Sequence, residues 1–133
     1  MKLAVIGTKK FTDFDFLSAT LKKIMNIEMI ISGGAAGTDT LAKQFAFQNQ
    51  INFLEFPPDY KKFGDNAKYI RDKLIVEECD ELIAFWDGEC EGTKYTFDYA
   101  KKLGKRVKII DVIFNSPLKG RKKLVSRGVN LVE

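Results

Sequence analysis

The stretch Ser32-Gly33-Gly34-Ala35-Ala36-Gly37-Thr38-Asp39 holds three glycines and two alanines in eight residues. Backbone so sparsely covered lets a ligand approach closely, and its amides, with the N-terminus of a following helix, suit a phosphate or another anion. Packing of the turn against its own chain is the competing use. A second run, Asp87-Gly88-Glu89-Cys90-Glu91-Gly92-Thr93, again sets glycine and a hydroxyl before a helix. Two such nests on neighbouring strands would hold one nucleotide at two points, although Asp-Gly also marks ordinary turns and Glu89 and Glu91 oppose an anion unless they point away. Neither run is a Walker A loop, because no lysine precedes Thr38, and neither matches the dinucleotide pattern G-x-G-x-x-G.

A third loop, Phe56 to Asp65, carries Asp59, Tyr60 and Phe63. Tyr60, Phe63 or Trp86 offers a ring for stacking on a base, with simple packing the alternative for each. Arg71 is the only arginine before residue 106. Its planar fork can clamp a phosphate at two points, which lysine cannot do, and a salt bridge to Asp72 or Asp39 is the rival use. The chain has no histidine, which removes the usual neutral-pH base and the commonest zinc ligand. Two cysteines, Cys79 and Cys90, make a poor metal site and read as free thiols. No metal and no cofactor is therefore expected, and acid-base work falls to carboxylates, lysine, tyrosine or Ser32. Asp87, at a strand end, is the first choice of carboxylate, with Asp39 and Asp59 behind it.

These groups need elements to position them. Leu3 to Ile6 is a continuous apolar run, the mark of a strand covered on both faces. Phe14, Leu17, Leu21 and Ile24 recur at helical spacing, with Thr12 or Asp13 as cap. Met29 to Ile31 is a second strand. Thr38 or Asp39 caps a helix with Leu41, Ala42, Phe45 and Ala46 on its apolar face, and Asn52 to Phe56 is a third strand stopped by Pro57 and Pro58. Past a polar and aromatic loop from Asp59 to Gly64, Asp65 or Asn66 opens a helix carrying Ala67, Ile70, Leu74 and Val76. Glu81 to Trp86 is the fourth strand. Thr93 to Leu103 is a helix capped by Gly104, and Arg106 to Val112 is the fifth strand. Strands alternating with helices predict an α/β fold, a Rossmann-like three-layer sandwich with a parallel sheet of about five strands. In such a sheet the loops at the carboxyl ends of strands converge on a crevice.

The length of 133 residues suits one domain, 1–133, with 112–133 as a basic C-terminal extension in which Val129 to Val132 could form an extra edge strand. The net charge of +4 arises in that extension, through Lys119, Arg121, Lys122, Lys123 and Arg127. The remainder is balanced, so nucleic acid ranks below a small molecule as the expected partner. Met1 to Thr8 lacks the features of a signal peptide, and no stretch approaches the about 18 apolar residues of a membrane span, so a cytoplasmic protein without membrane contact is expected.

Ile31-Ser32-Gly33-Gly34-Ala35 through Gly37-Thr38-Asp39 and Leu41-Ala42, then Glu55-Phe56-Pro57-Pro58-Asp59-Tyr60 with Gly64, Arg71, and Ala84-Phe85-Trp86-Asp87-Gly88 leading to Gly92-Thr93-Lys94, together resemble the SLOG superfamily, in particular its YspA-like single-domain branch. The resemblance covers about residues 2 to 111. It implies a Rossmann-like fold that binds nucleotides or nucleotide-derived ligands, often as a homodimer. The LOG enzymes of that superfamily hydrolyse the N-glycosidic bond of a cytokinin riboside monophosphate. Their arginine corresponds to Arg71 and their glycine-glycine-x-glycine-threonine loop to the turn ending in Gly92-Thr93. Their catalytic glutamate falls at Thr96, so the resemblance supports the binding site better than the enzyme.

The sequence thus points to a nucleotide or nucleotide-derived ligand held by Ser32, Gly33, Gly34, Ala35, Gly37, Thr38, Asp39, Tyr60, Arg71, Trp86, Asp87, Gly88, Gly92 and Thr93. N-glycosidic hydrolysis of a nucleoside monophosphate through Asp87 and Arg71 is one alternative, and a nucleic-acid binding module is another.

Overall fold

Alternate residues of the two central strands face opposite ways, and both sets are buried. Leu3 and Val5 of β1 (Lys2–Gly7) and Ile83 and Phe85 of β4 (Glu81–Trp86) join one core with Leu17, Leu21, Ala42 and Phe45. Ala4, Ile6, Leu82 and Ala84 join another with Ile75, Val76, Phe97 and Ala100. A strand buried on both faces must be apolar at every position, which is why these segments read as unbroken runs. The structure is a computed structural model that describes residues 1–115 and 123–132, with side chains described as far as residue 112. The basic positions Lys119, Arg121 and Lys122 lie outside the described residues, as do the side chains of Lys123 and Arg127.

The other elements are α1 (Phe14–Lys22), β2 (Met29–Ser32), α2 (Thr38–Gln48), β3 (Asn52–Glu55), α3 (Tyr60–Phe63), α4 (Ala67–Glu78), α5 (Glu91–Lys102), β5 (Arg106–Asn115) and β6 (Lys123–Val132). The sheet order is β3-β2-β1-β4-β5-β6. Five strands are parallel, with α1 and α2 against one face and α4 and α5 against the other, the expected Rossmann-like arrangement. β6 runs antiparallel to β5 along its whole length, with a register shift at Asp111/Val112. It begins at Lys123, well before the Val129 start suggested by the apolar tail.

Several local expectations are corrected. Asp59 to Gly64 is not an open loop: Asp59 accepts the Lys62 amide and caps the short α3, and a 3-10 turn, Gly64–Asn66, leads into α4. Ala67 and Val76 of the expected α4 stripe are buried, but Leu74 is exposed and Ile75 takes the core position in its place. Asp13 does cap α1, accepting the Phe16 amide. Neither Thr38 nor Asp39 caps α2; both lie inside its first turn, behind Gly37. Gly104 closes α5 at a φ of 77°, as read from the sequence.

β1 is the point where strand order reverses. Its carboxyl end, and those of β2 and β4 on either side, open onto one crevice.

Candidate functional site

The turn after β2 is held in place by its own chain. Gly37 has a φ of 71°, and a side chain there would strike the backbone carbonyls of Thr8 and Lys9. The Thr38 hydroxyl and amide both donate to the Thr8 carbonyl, at 3.0 and 3.3 Å, fastening the start of α2 to the loop after β1. Within the turn, the Asp39 carboxylate accepts the Ala35 amide at 3.0 Å, and the Thr40 hydroxyl donates to the Ala35 carbonyl.

Arg71 reaches this turn from α4. Its Nη1 donates to the carbonyls of Gly33 and Phe56, at 2.5 and 3.4 Å, and its Nε donates to Asp72 at 2.7 Å. Gly33 is glycine because of this contact: a Cβ there would stand 2.7 Å from Arg71 Cζ. Arg71 and Asp72 form a largely buried pair, with side chains 10% and 14% exposed. The rival reading of Arg71 is therefore realised, and the Nε and Nη1 edge is committed to the protein. Nη2 has no partner among the described residues.

Two carboxyls sit beside that guanidinium. Burial pushes Asp39 up to about 6, against the Ala35 amide and the Arg71 charge, which favour its ionised form; the negative charge of Asp72 pushes the same way as burial. Burial also raises Asp72, against Arg71. The Ser32 hydroxyl is wholly buried at the end of β2; it meets no partner within strict hydrogen-bond geometry, but it lies close enough to Asp39 to favour that carboxyl's ionised form.

The second wall is the start of α5. Asp87 does not face the crevice lining: its Oδ1 accepts the amides of Glu89 and Cys90, at 2.8 and 2.9 Å, and folds the turn. Trp86 packs edge-on against Phe97, with centroids 5.1 Å apart, and donates its indole N–H to the Cys90 carbonyl. Neither residue, nor Gly88, lines the cavity. Gly92 and Thr93 do. Gly92 is helical, and a Cβ there would meet nothing within 4 Å. Thr96 is buried in the same wall and donates to the Gly92 carbonyl.

Between these walls lies a cavity of about 670 Å³. It brings together Gly33, Gly34, Ala35, Asp39, Tyr60, Arg71, Gly92 and Thr93 from the sequence-derived set, and leaves out Ser32, Gly37, Thr38, Trp86, Asp87 and Gly88, which support it or lie apart. Its charged lining comprises Lys9, Lys68 and Arg71 with Asp39, Asp65 and Asp72. Lys9, Asp65, Lys68, Tyr69 and Asp72 are additions from the structure. For four of them the signal was in the sequence: Asp65 in the turn before α4 and Lys68, Tyr69 and Asp72 within it follow at three- and four-residue spacing, polar or amphipathic where an ordinary packing stripe would be apolar. Among the described residues no cluster of three metal-ligating side chains occurs, and no helix is long and apolar enough to cross a membrane.

A doubly wound parallel sheet with glycine-rich turns at its reversal point defines a Rossmann-like α/β protein with a crevice for ligands. More particularly, residues 1–63 match the family model described as "YAcAr: YspA, cpYpsA-related SLOG family", a similarity to the SLOG superfamily over this N-terminal region. The crystal structure of DNA processing protein A (DprA) from Streptococcus pneumoniae has the same fold, with a TM-score of 0.70 over 90% of this chain and 52% of that one, at 20% identity. The proline–tRNA ligase of Nanoarchaeum equitans (strain Kin4-M) is 39% identical over 67 residues, which is 50% of this chain and 12% of the ligase. The chain thus spans about half of the first protein and a small part of the second. At family level these matches associate it with nucleotide- and nucleic-acid-binding folds. They also correct one expectation. Nucleic acid was ranked low because the body carries no net charge, yet the fold is shared with a protein named for DNA processing, so nucleic-acid interaction is plausible rather than disfavoured. Net charge was the wrong measure, since a local nest of amides and cations contacts phosphate whatever the sum over the surface.

Proposed function

We propose that the cavity binds a nucleotide or nucleotide-derived ligand, its phosphate on the Gly33–Gly37 turn and the start of α5, steadied by the free edge of Arg71. The observation that carries this reading is the convergence of both glycine-rich turns and Arg71 on one cavity. Lys9 and Lys68 add positive charge, and the open space at Gly92 gives an anion close access to the backbone, whereas the Glu55 carboxylate stands beside Gly34. Gly92 supports it most directly, because nothing in the chain's own packing requires glycine there.

A second reading, hydrolysis of the N-glycosidic bond of a nucleoside monophosphate, is favoured by the two buried carboxyls. With Asp87 engaged by turn amides, the acid-base role passes to Asp39 or Asp72. A carboxyl raised to about 6 exchanges protons near neutrality, which suits activation of a water or protonation of a leaving base. The test is calorimetric titration with AMP, ADP-ribose, NAD, a cytokinin riboside monophosphate and a single-stranded oligonucleotide, followed by assay for free base. Binding without base release supports a carrier or sensor, and release supports the hydrolase. Binding of the oligonucleotide alone, falling steeply with salt, replaces both with a nucleic-acid module. Absence of heat with every ligand refutes the phosphate reading.

A further inference from the structure

The charged floor of the cavity accounts for an anion but leaves its outer wall unexplained. That wall holds two tyrosines, Tyr60 and Tyr69, which are 53% and 48% exposed. They are the two cavity-lining members of the exposed large hydrophobic side chains among the described residues. Neither phenol makes a hydrogen bond among those residues. An aromatic ring left half in water beside a charged crevice forgoes burial that the rest of this core achieves.

Tyr69 differs from Tyr60 in being held. It meets Tyr95 of α5 edge to face, with centroids 4.8 Å apart and planes at 75°. Whichever ring supplies the edge, that geometry leaves at least one face of Tyr69 uncovered by Tyr95. The neighbouring Lys68 and, one turn on, Asp72 line the same cavity, so the open ring stands on the helix that also supplies Arg71. A ring fixed by a neighbour loses little rotamer freedom when something stacks on it. Trp86, the other obvious platform, does not line the cavity, and its indole N–H is bonded to the Cys90 carbonyl.

We infer that Tyr69 is the stacking platform for the ligand's flat heterocycle, so that the site selects a base joined to a phosphate over a sugar phosphate lacking the base. This rests on the phosphate reading above and adds the substrate class to it. Base and phosphate occur together both in free nucleotides and at the end of a strand, and the two sources differ in their dependence on salt.

The experiment titrates wild-type protein, Tyr69→Phe and Tyr69→Leu with AMP, with ribose 5-phosphate and with a short single-stranded oligonucleotide at two salt concentrations. Stacking of one base predicts that Tyr69→Leu weakens AMP roughly 10- to 100-fold while ribose 5-phosphate is unchanged. Tyr69→Phe retains the ring and the affinity, and its melting curve, with that of Tyr69→Leu, shows that both fold. A strand as the true ligand gives the same loss in Tyr69→Leu together with a steep salt dependence in the wild type. The inference is overturned if wild-type protein binds AMP and ribose 5-phosphate equally, or if Tyr69→Leu keeps the wild-type ratio; in either case the phosphate reading survives. Wild-type protein that takes none of the three ligands overturns that reading and this inference with it.

Discussion

Glycine serves opposite purposes at two positions of the cavity, and exchanging each for alanine separates them. At Gly33 the missing side chain makes room for the Arg71 guanidinium, which donates to the Gly33 carbonyl. A methyl there displaces a buried charged donor from its acceptor, and a hydrogen bond to a charged group contributes about 1.5–3 kcal/mol. For a domain of this size that lowers the melting temperature by roughly 5–10 °C. At Gly92 the backbone is helical and the space is open, so alanine relieves the conformational cost of glycine in a helix, about 0.5–1 kcal/mol, less near the first turn. Gly92→Ala should therefore melt slightly higher than wild type. If the open space belongs to a ligand, the same methyl intrudes on it, and overpacking of about 1–3 kcal/mol weakens binding roughly tenfold or more. The assay pairs thermal melts with calorimetric titration of AMP. Gly92→Ala that binds as wild type does would refute the argument that this glycine makes room for a ligand. Gly33→Ala of undiminished stability would refute the account of Arg71.

Asp39 titrates at about 6 in the fold against an ordinary 3.8, so the folded state holds the proton more tightly. Its contribution to stability is full below about pH 4 and is lost as pH rises through 6, by at most about 3 kcal/mol. Asp39→Asn, which can still accept the Ala35 amide, should be more stable than wild type at pH 7 and equal to it near pH 4; melts across that range check it, and a constant difference would contradict it. Arg71→Met leaves Asp72 buried without its partner and should destabilise by about 3–5 kcal/mol, measured by urea unfolding. Arg71→Lys should recover part of that loss but bind anionic ligands less well than wild type.

Much of the fold was legible because burial on both faces writes itself as unbroken apolar runs: Leu3 to Ile6 and Glu81 to Trp86 need no long-range information. α3 was missed because four residues carry no period, and only the cap at Asp59 announced it. The site was half legible. The glycine turns and Arg71 stand out by type, but Asp72, Lys68 and Tyr69 are ordinary residues that matter through the face they share. Trp86 lies outside the cavity lining, and strand alternation accounts for its place: it is on the same face as Leu82 and Ala84, under α5. Asp87 occupies a strand end, as expected, but amides two and three residues ahead captured its carboxylate, a local contest that the Asp-Gly pair already hints at.

The central place of β1 has a consequence for how the site comes into being. Its pairing with β4 joins Leu3 to Glu81, across most of the chain, and only that closure brings α4 and α5 opposite the turn after β2. Residues 1–63, the stretch that carries the family match, hold one wall of the crevice and none of Arg71, Asp72 or Gly92. The crevice therefore exists only where that long-range pairing is made, and a ligand spanning both walls would stabilise the complete fold and nothing short of it.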